Sequence, residues 1–138
     1  MKIITQLCFD GHGDEAVELY QEAFGMDVKT LMHYKDAVEF GWEKPDDRLD
    51  KLVYHSELVR GGVELRVTDL GSAEQTELTG RFSFNVQFET EEEVVNAFTV
   101  LAKDGKIVRA LEKPPFLVII GEVEDKFGVH WVLMCDFK

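Results

Sequence analysis

A chain of 138 residues with 15 Lys and Arg against 27 Asp and Glu carries a formal net charge of −12. That balance excludes the basic surface needed to neutralise nucleic-acid phosphates or to settle on an anionic membrane. A hydrophobic content of 45%, with ten Phe, supplies a core for one domain and excludes disorder.

No apolar run approaches the ~20 residues of a membrane-spanning helix. The opening Met-Lys-Ile-Ile-Thr-Gln lacks the apolar core of a secretory signal, so a cytoplasmic protein is expected. Cys8 and Cys135 are too few for a disulfide framework or a zinc cluster and are expected as buried thiols.

Residues 3–9 read as a strand with Ile3, Leu7 and Phe9 on one face. Residues 14–24 read as an amphipathic helix, because Ala16, Val17, Leu19, Tyr20, Ala23 and Phe24 form one apolar stripe. Gly25 stops it. The Gly11-His12-Gly13 turn ahead of this helix is crowded by Asp10, Asp14 and Glu15, which would repel an anion, so it reads as a plain turn. Strands are expected at 26–33, 52–59 and 63–68, with His33 a surface residue on an edge strand. Gly61-Gly62 makes the hairpin turn between the last two. Residues 34–50, with Phe40 and Trp42, are long for a connection. They read either as a lid or partner-facing arm, or as a strand extension whose aromatics pack on a sheet edge.

The second half repeats this order. Residues 81–88 alternate Phe82, Phe84, Val86 and Phe88 with Ser83, Asn85 and Gln87. Thr90-Glu91-Glu92-Glu93 is a capping box, opening a helix that runs through Val94, Val95, Phe98 and Leu101 to Gly105. Strands follow at 106–111, 116–122 and 129–137, with Asp125-Lys126-Phe127-Gly128 as the turn before the last. Lys113-Pro114-Pro115 is a rigid turn that feeds Phe116 toward the core. The pattern is α+β: two βαβββ modules, 1–69 and 81–138, joined by a polar linker at 70–80 and forming a single domain over 1–138.

This organisation resembles the vicinal oxygen chelate superfamily of glyoxalases, bleomycin-resistance proteins and dioxygenases, and within it the PhnB-like branch. The resemblance rests on Leu7-Cys8-Phe9-Asp10-Gly11, on Glu15-Ala16-Val17-Glu18-Leu19-Tyr20 through Phe24-Gly25, on His55-Ser56-Glu57-Leu58 before Gly61-Gly62, and on Asp125 to Trp131. It implies cup-shaped mixed sheets with helices outside, and a homodimer. It also implies four inward metal ligands on the first and last strands of the modules. Those places fall at about Ile4, Glu64, Ser83 and Val132, so only Glu64 matches, no inherited metal site is expected, and no cofactor is assigned. PhnB-like chains are often labelled demethylubiquinone methyltransferases. The residues do not support that label, because a Gly-rich loop after the first strand of a doubly wound sheet, typical for S-adenosylmethionine, does not occur here.

Alternation selects the pocket-lining candidates. Glu64, Arg66 and Thr68 share the polar face of one strand, while Val63, Leu65 and Val67 share its apolar face. His55 and Glu57 share a face; Ser83, Asn85 and Gln87 share another; His130 lies with Val132 and Met134. Four readings stay open: a substitute metal site from His55, Glu57 and Glu64; acid–base chemistry by His55 or Glu64; ligand binding oriented by Glu64, Arg66, Asn85 and Gln87; or cross-strand pairs that satisfy each other. Cys8 has no base nearby in sequence to make it a nucleophile. The expected function is small-molecule binding in an apolar cup. The alternatives are a lyase, isomerase or dioxygenase-type enzyme acting on a small oxygenated substrate, and sequestration of a cationic antibiotic drawn by the negative charge.

Overall fold

The repeated order of elements becomes two four-stranded sheets. In the computed structural model, which describes residues 2–37, 39, 47–69 and 82–138, the first half runs β1 (Thr5–Phe9), α1 (Gly13–Phe24), β2 (Asp27–His33), a single turn α2 (Tyr34–Ala37), β3 (Val53–Arg60) and β4 (Val63–Asp69). The second runs β5 (Phe84–Phe88), α3 (Glu91–Ala102), β6 (Lys106–Glu112), β7 (Ile119–Glu124) and β8 (His130–Cys135). The strand orders are β1-β4-β3-β2 and β5-β8-β7-β6. In each sheet the first strand pairs in parallel with the last, and the remaining pairs are antiparallel. The expected α+β class with two βαβββ modules is what forms, as two compact units. The linker at 70–80 lies outside the described residues, as do Phe40 and Trp42 of the long connection.

Helix α1 buries Ala16, Val17, Tyr20, Ala23 and Phe24, the stripe set by its sequence. It ends at Gly25, whose φ of 62° lets its N–H reach the Gln21 carbonyl. In the second unit α3 buries Val94, Ala97, Phe98 and Leu101 and packs chiefly on β7 and β8. Its first turn is capped by the Thr90 hydroxyl, which accepts from Glu93 N at 3.2 Å. No helix among the described residues is long and apolar enough to cross a membrane.

The strand ends correct several expectations. Ile3 is 89% exposed and Val63 64%, because β1 meets β4 only from Thr5 opposite Leu65 onward, and Val63 sits against the Gly61-Gly62 turn. Phe82 is exposed for the same reason: β5 begins at Phe84, opposite Trp131. Phe116 is 71% exposed rather than fed to the core. The chain turns through Pro114–Leu117 and rejoins the sheet when Val118 N donates to Cys135 O at 2.9 Å. Phe137, expected in the last strand, lies exposed beyond β8.

Candidate functional site

The first sheet sorts its residues by alternation. Leu7, Phe9, Ser56, Leu58, Leu65, Val67 and Asp69 are buried on one face. The opposite face carries two cross-strand rows. One runs Gln6, Arg66, Glu57, Thr30 across β1, β4, β3 and β2. The other contains Cys8 opposite Thr68, and His55 opposite Met32. A register shift takes the pairing from Met32 opposite His55 to His33 opposite Val53, skipping Tyr54 in the ladder and returning Val53 to the buried side. Here a cavity of about 520 Å³ opens, lined by Gln6, Cys8, Tyr34, Tyr54, His55, Thr68 and Asp69.

Ion pairs thread this face. His55 Nε2 lies 3.2 Å from Glu57 Oε1, and the Thr30 hydroxyl donates to Glu57 Oε2 at 3.1 Å. Arg66 Nη2 lies 3.7 Å from Glu57 Oε1, while its Nε donates to Glu64 Oε2 at 2.8 Å. Lys2 Nζ lies 3.9 Å from Glu64 Oε1. The hydrogen bond with His55, then that from Thr30, holds the Glu57 carboxyl below the usual carboxylate range, with Lys29 helping and partial burial opposing. Both bonds favour the ionised form.

Tyr34 closes one side of the cavity. Its hydroxyl donates to the Asp69 carbonyl at 2.9 Å, and its ring meets Tyr54 edge-on at 5.2 Å between centroids. Burial pushes the Tyr34 phenol above its ordinary value, and the Asp69 charge and Tyr54 add to this. The neutral phenol is therefore favoured in the fold. Its contribution is complete below about pH 10 and is lost as pH rises through the higher folded value. Tyr34→Phe is expected to cost about 1 kcal/mol at neutral pH and to flatten the alkaline decline above about pH 10. Urea midpoints on both sides of that pH check this; an undiminished alkaline decline in the variant would contradict it.

Of the residues expected to line a pocket, the structure brings His55, Glu57, Glu64 and Arg66 into one chain of contacts, and His55 alone of these lines the cavity. Cys8, expected buried, is half-buried at the cavity, whereas Cys135 is buried. His33 ends β2, an edge strand of its sheet, as expected, and its Nε2 lies 2.8 Å from Asp14 Oδ1. In the second unit Ser83 precedes β5 and is exposed. Asn85 and Gln87 share a face with Val132 and Met134, and Gln87 bonds Asp136. His130 Nε2 is buried with no hydrogen-bond partner among the described residues, 3.9 Å from Glu122 Oε2. The registers equate Leu65 with Trp131, so the counterpart of Glu64 is His130 rather than Val132. Among the described residues no three His, Cys, Asp or Glu are grouped to hold a metal.

Sequence reasoning missed Tyr34, Tyr54 and Asp69. Their signal is non-local: Tyr34 needs the Asp69 carbonyl, 35 residues away, and Tyr54 needs the bulge. Gln6 and Cys8 were legible as the alternate positions to Leu7 and Phe9.

The PhnB protein of Bacillus cereus is 30% identical over 98% of this chain and 99% of its own, with a TM-score of 0.80. Protein PA1353 of Pseudomonas aeruginosa is 25% identical over 99% of this chain and 98% of its own, with a TM-score of 0.85. A family model described as 3-demethylubiquinone-9 3-methyltransferase matches residues 1–134. The chain belongs to this PhnB-like family. A glyoxalase-related enzyme from Fulvimarina pelagi shares the PhnB-like fold at 17% identity, over 99% of this chain and 89% of its own, with a TM-score of 0.60. At that identity the likeness is one of fold, four-stranded mixed sheets built from βαβββ modules.

Proposed function

We propose that this PhnB-like protein binds a small, planar, oxygenated molecule in the cavity on the open face of its first sheet. The observation that carries the reading is the cavity itself, about 520 Å³, within the range of small-molecule sites. Its walls combine two aromatic rings with a few hydrogen-bonding groups from Gln6, Thr68 and His55. Three of its lining elements are strands of one sheet, so these groups are held rigidly. Sequestration of a cationic drug finds less support, because Glu57 and Glu64 are already engaged by His55, Arg66 and Lys2. Methyl transfer, which the family description mentions, is not part of this reading: the sheets are mixed and four-stranded, not the doubly wound parallel sheet on which S-adenosylmethionine sites are built.

Cys8 offers the test. It lines the cavity, while Cys135 is 3% exposed, so iodoacetamide is expected to label Cys8 first. A panel of phenols, hydroxyquinones and hydroxy acids is expected to contain compounds that slow this labelling at least about fivefold at saturation. If no compound of the panel protects Cys8, the reading fails.

A further inference from the structure

We propose that His55 and Glu57 form a proton-accepting dyad, so that the cavity selects weak O–H acids and holds them as anions. The inference rests on the proposed cavity and adds the chemistry of its ligand. Glu57 is fixed by three neighbours, the Thr30 hydroxyl, Arg66 and His55. An ionised Glu57 only accepts hydrogen bonds, so the neutral imidazole must carry its hydrogen on Nε2, pointing at Oε1. Nδ1 then holds the lone pair, and it has no partner among the described residues. That pairing of a carboxylate with one ring nitrogen, leaving the other as the base, is how a histidine is oriented to take a proton.

The surroundings favour this over an inert pair. His55 lies on β3, the third of four strands in the sheet, and lines the cavity together with two tyrosine rings. The charged and titratable groups around it are Glu57 and Tyr54 on β3, Arg66 and Asp69 on β4, Cys8 on β1 and Tyr34 on α2. On β2 the facing residue is Met32, which is uncharged. The Asp69 carboxylate is occupied by backbone N–H groups, so Glu57, already 3.2 Å from His55 Nε2, is the carboxylate that balances a new positive charge on His55. In the step itself the ligand O–H bond breaks and its electron pair stays on oxygen. The Nδ1 lone pair takes the proton, giving a phenolate-type anion beside an imidazolium whose Nε2–H faces Glu57. Charge and atoms balance without a metal or a redox partner.

The probe is 4-nitrophenol, colourless as the phenol and yellow as the phenolate. With saturating protein, the phenolate-to-phenol ratio of the bound probe near pH 6.5 is expected to rise about tenfold over the free probe. The rise, read per bound probe at saturation, should vanish in His55→Gln and shrink in Glu57→Gln. Nitrogen NMR on the unmodified protein is expected to show His55 as the Nε2–H tautomer at pH 8, changing to a mixture in Glu57→Gln. A probe that protects Cys8 without ionising, or that ionises equally in His55→Gln, overturns the dyad and leaves the cavity reading intact. A probe that neither changes colour nor protects Cys8 overturns both. An Nδ1–H tautomer in the wild type overturns the dyad even where the variants fail to fold.

Discussion

Asp69→Ala is expected to destabilise the protein by about 3–5 kcal/mol. Asp69 is 2% exposed at the end of β4, and its carboxylate meets three backbone donors. Oδ1 accepts from Gly11 N and Gly13 N, each at 2.9 Å, and Oδ2 accepts from Val53 N at 2.8 Å. The first two tie down the entry to α1, whose N-cap His12 makes no side-chain cap; the third fixes the start of β3. Truncation strands all three N–H groups in a buried place, each costing about 1–3 kcal/mol. Asp69→Asn should cost less, about 2 kcal/mol, because its amide oxygen still serves Gly11 and Gly13 while its NH₂ opposes the Val53 donor. Gly13→Ala probes the same junction from the other side, since a Cβ there would stand 2.6 Å from Asp69 Oδ2. Urea unfolding measures all three; a loss below about 1 kcal/mol for Asp69→Ala would contradict the account.

The two helix starts show why one half of this design was readable and the other was not. Thr90 and Glu93 lie three residues apart and cap α3 locally, so the signal sits within one stretch of sequence. The start of α1 is held by a carboxylate 56 residues away, and nothing in Gly11-His12-Gly13 names it. The registers place Cys135 where Asp69 stands in the first unit, opposite Phe88 as Asp69 is opposite Phe9. The repeat therefore preserves the strand pattern while changing how the following helix is anchored. Period-two alternation revealed Glu64, Arg66, His55 and Glu57 on one face because the face depends on backbone geometry alone. The position of the cavity along that face was hidden, because a one-residue bulge at Tyr54 and a tyrosine from α2 decide it. Strand ends failed for the same class of reason: Ile3, Phe82 and Phe116 are apolar enough for strands, but no strand among the described residues pairs with them.

Trp131→Phe and Asp125→Ala are each expected to cost about 2–4 kcal/mol, and together distinctly less than the sum. Asp125, 3% exposed, accepts from Phe127 N at 2.9 Å and Val129 N at 3.0 Å through Oδ1, and from Trp131 Nε1 at 2.9 Å through Oδ2. Its own backbone closes the turn, donating to Val129 O and accepting from Gly128 N. One carboxylate thus shapes the β7–β8 turn and locks the indole that packs 5.2 Å from Phe84. Removing the indole N–H leaves a buried charged oxygen short of a donor; removing the carboxylate leaves a buried indole N–H and two backbone N–H groups short of an acceptor. Either loss spoils the same bond, so the second substitution finds less left to lose. A double-mutant cycle in urea should return a coupling of about 1.5–3 kcal/mol, the range for a hydrogen bond to a charged group. A coupling near zero would mean that the turn, rather than the indole contact, is what Asp125 holds. Asp125→Asn separates these: its remaining oxygen can keep both backbone donors while its NH₂ faces the indole N–H. It should therefore reproduce most of the coupling loss and little of the turn's.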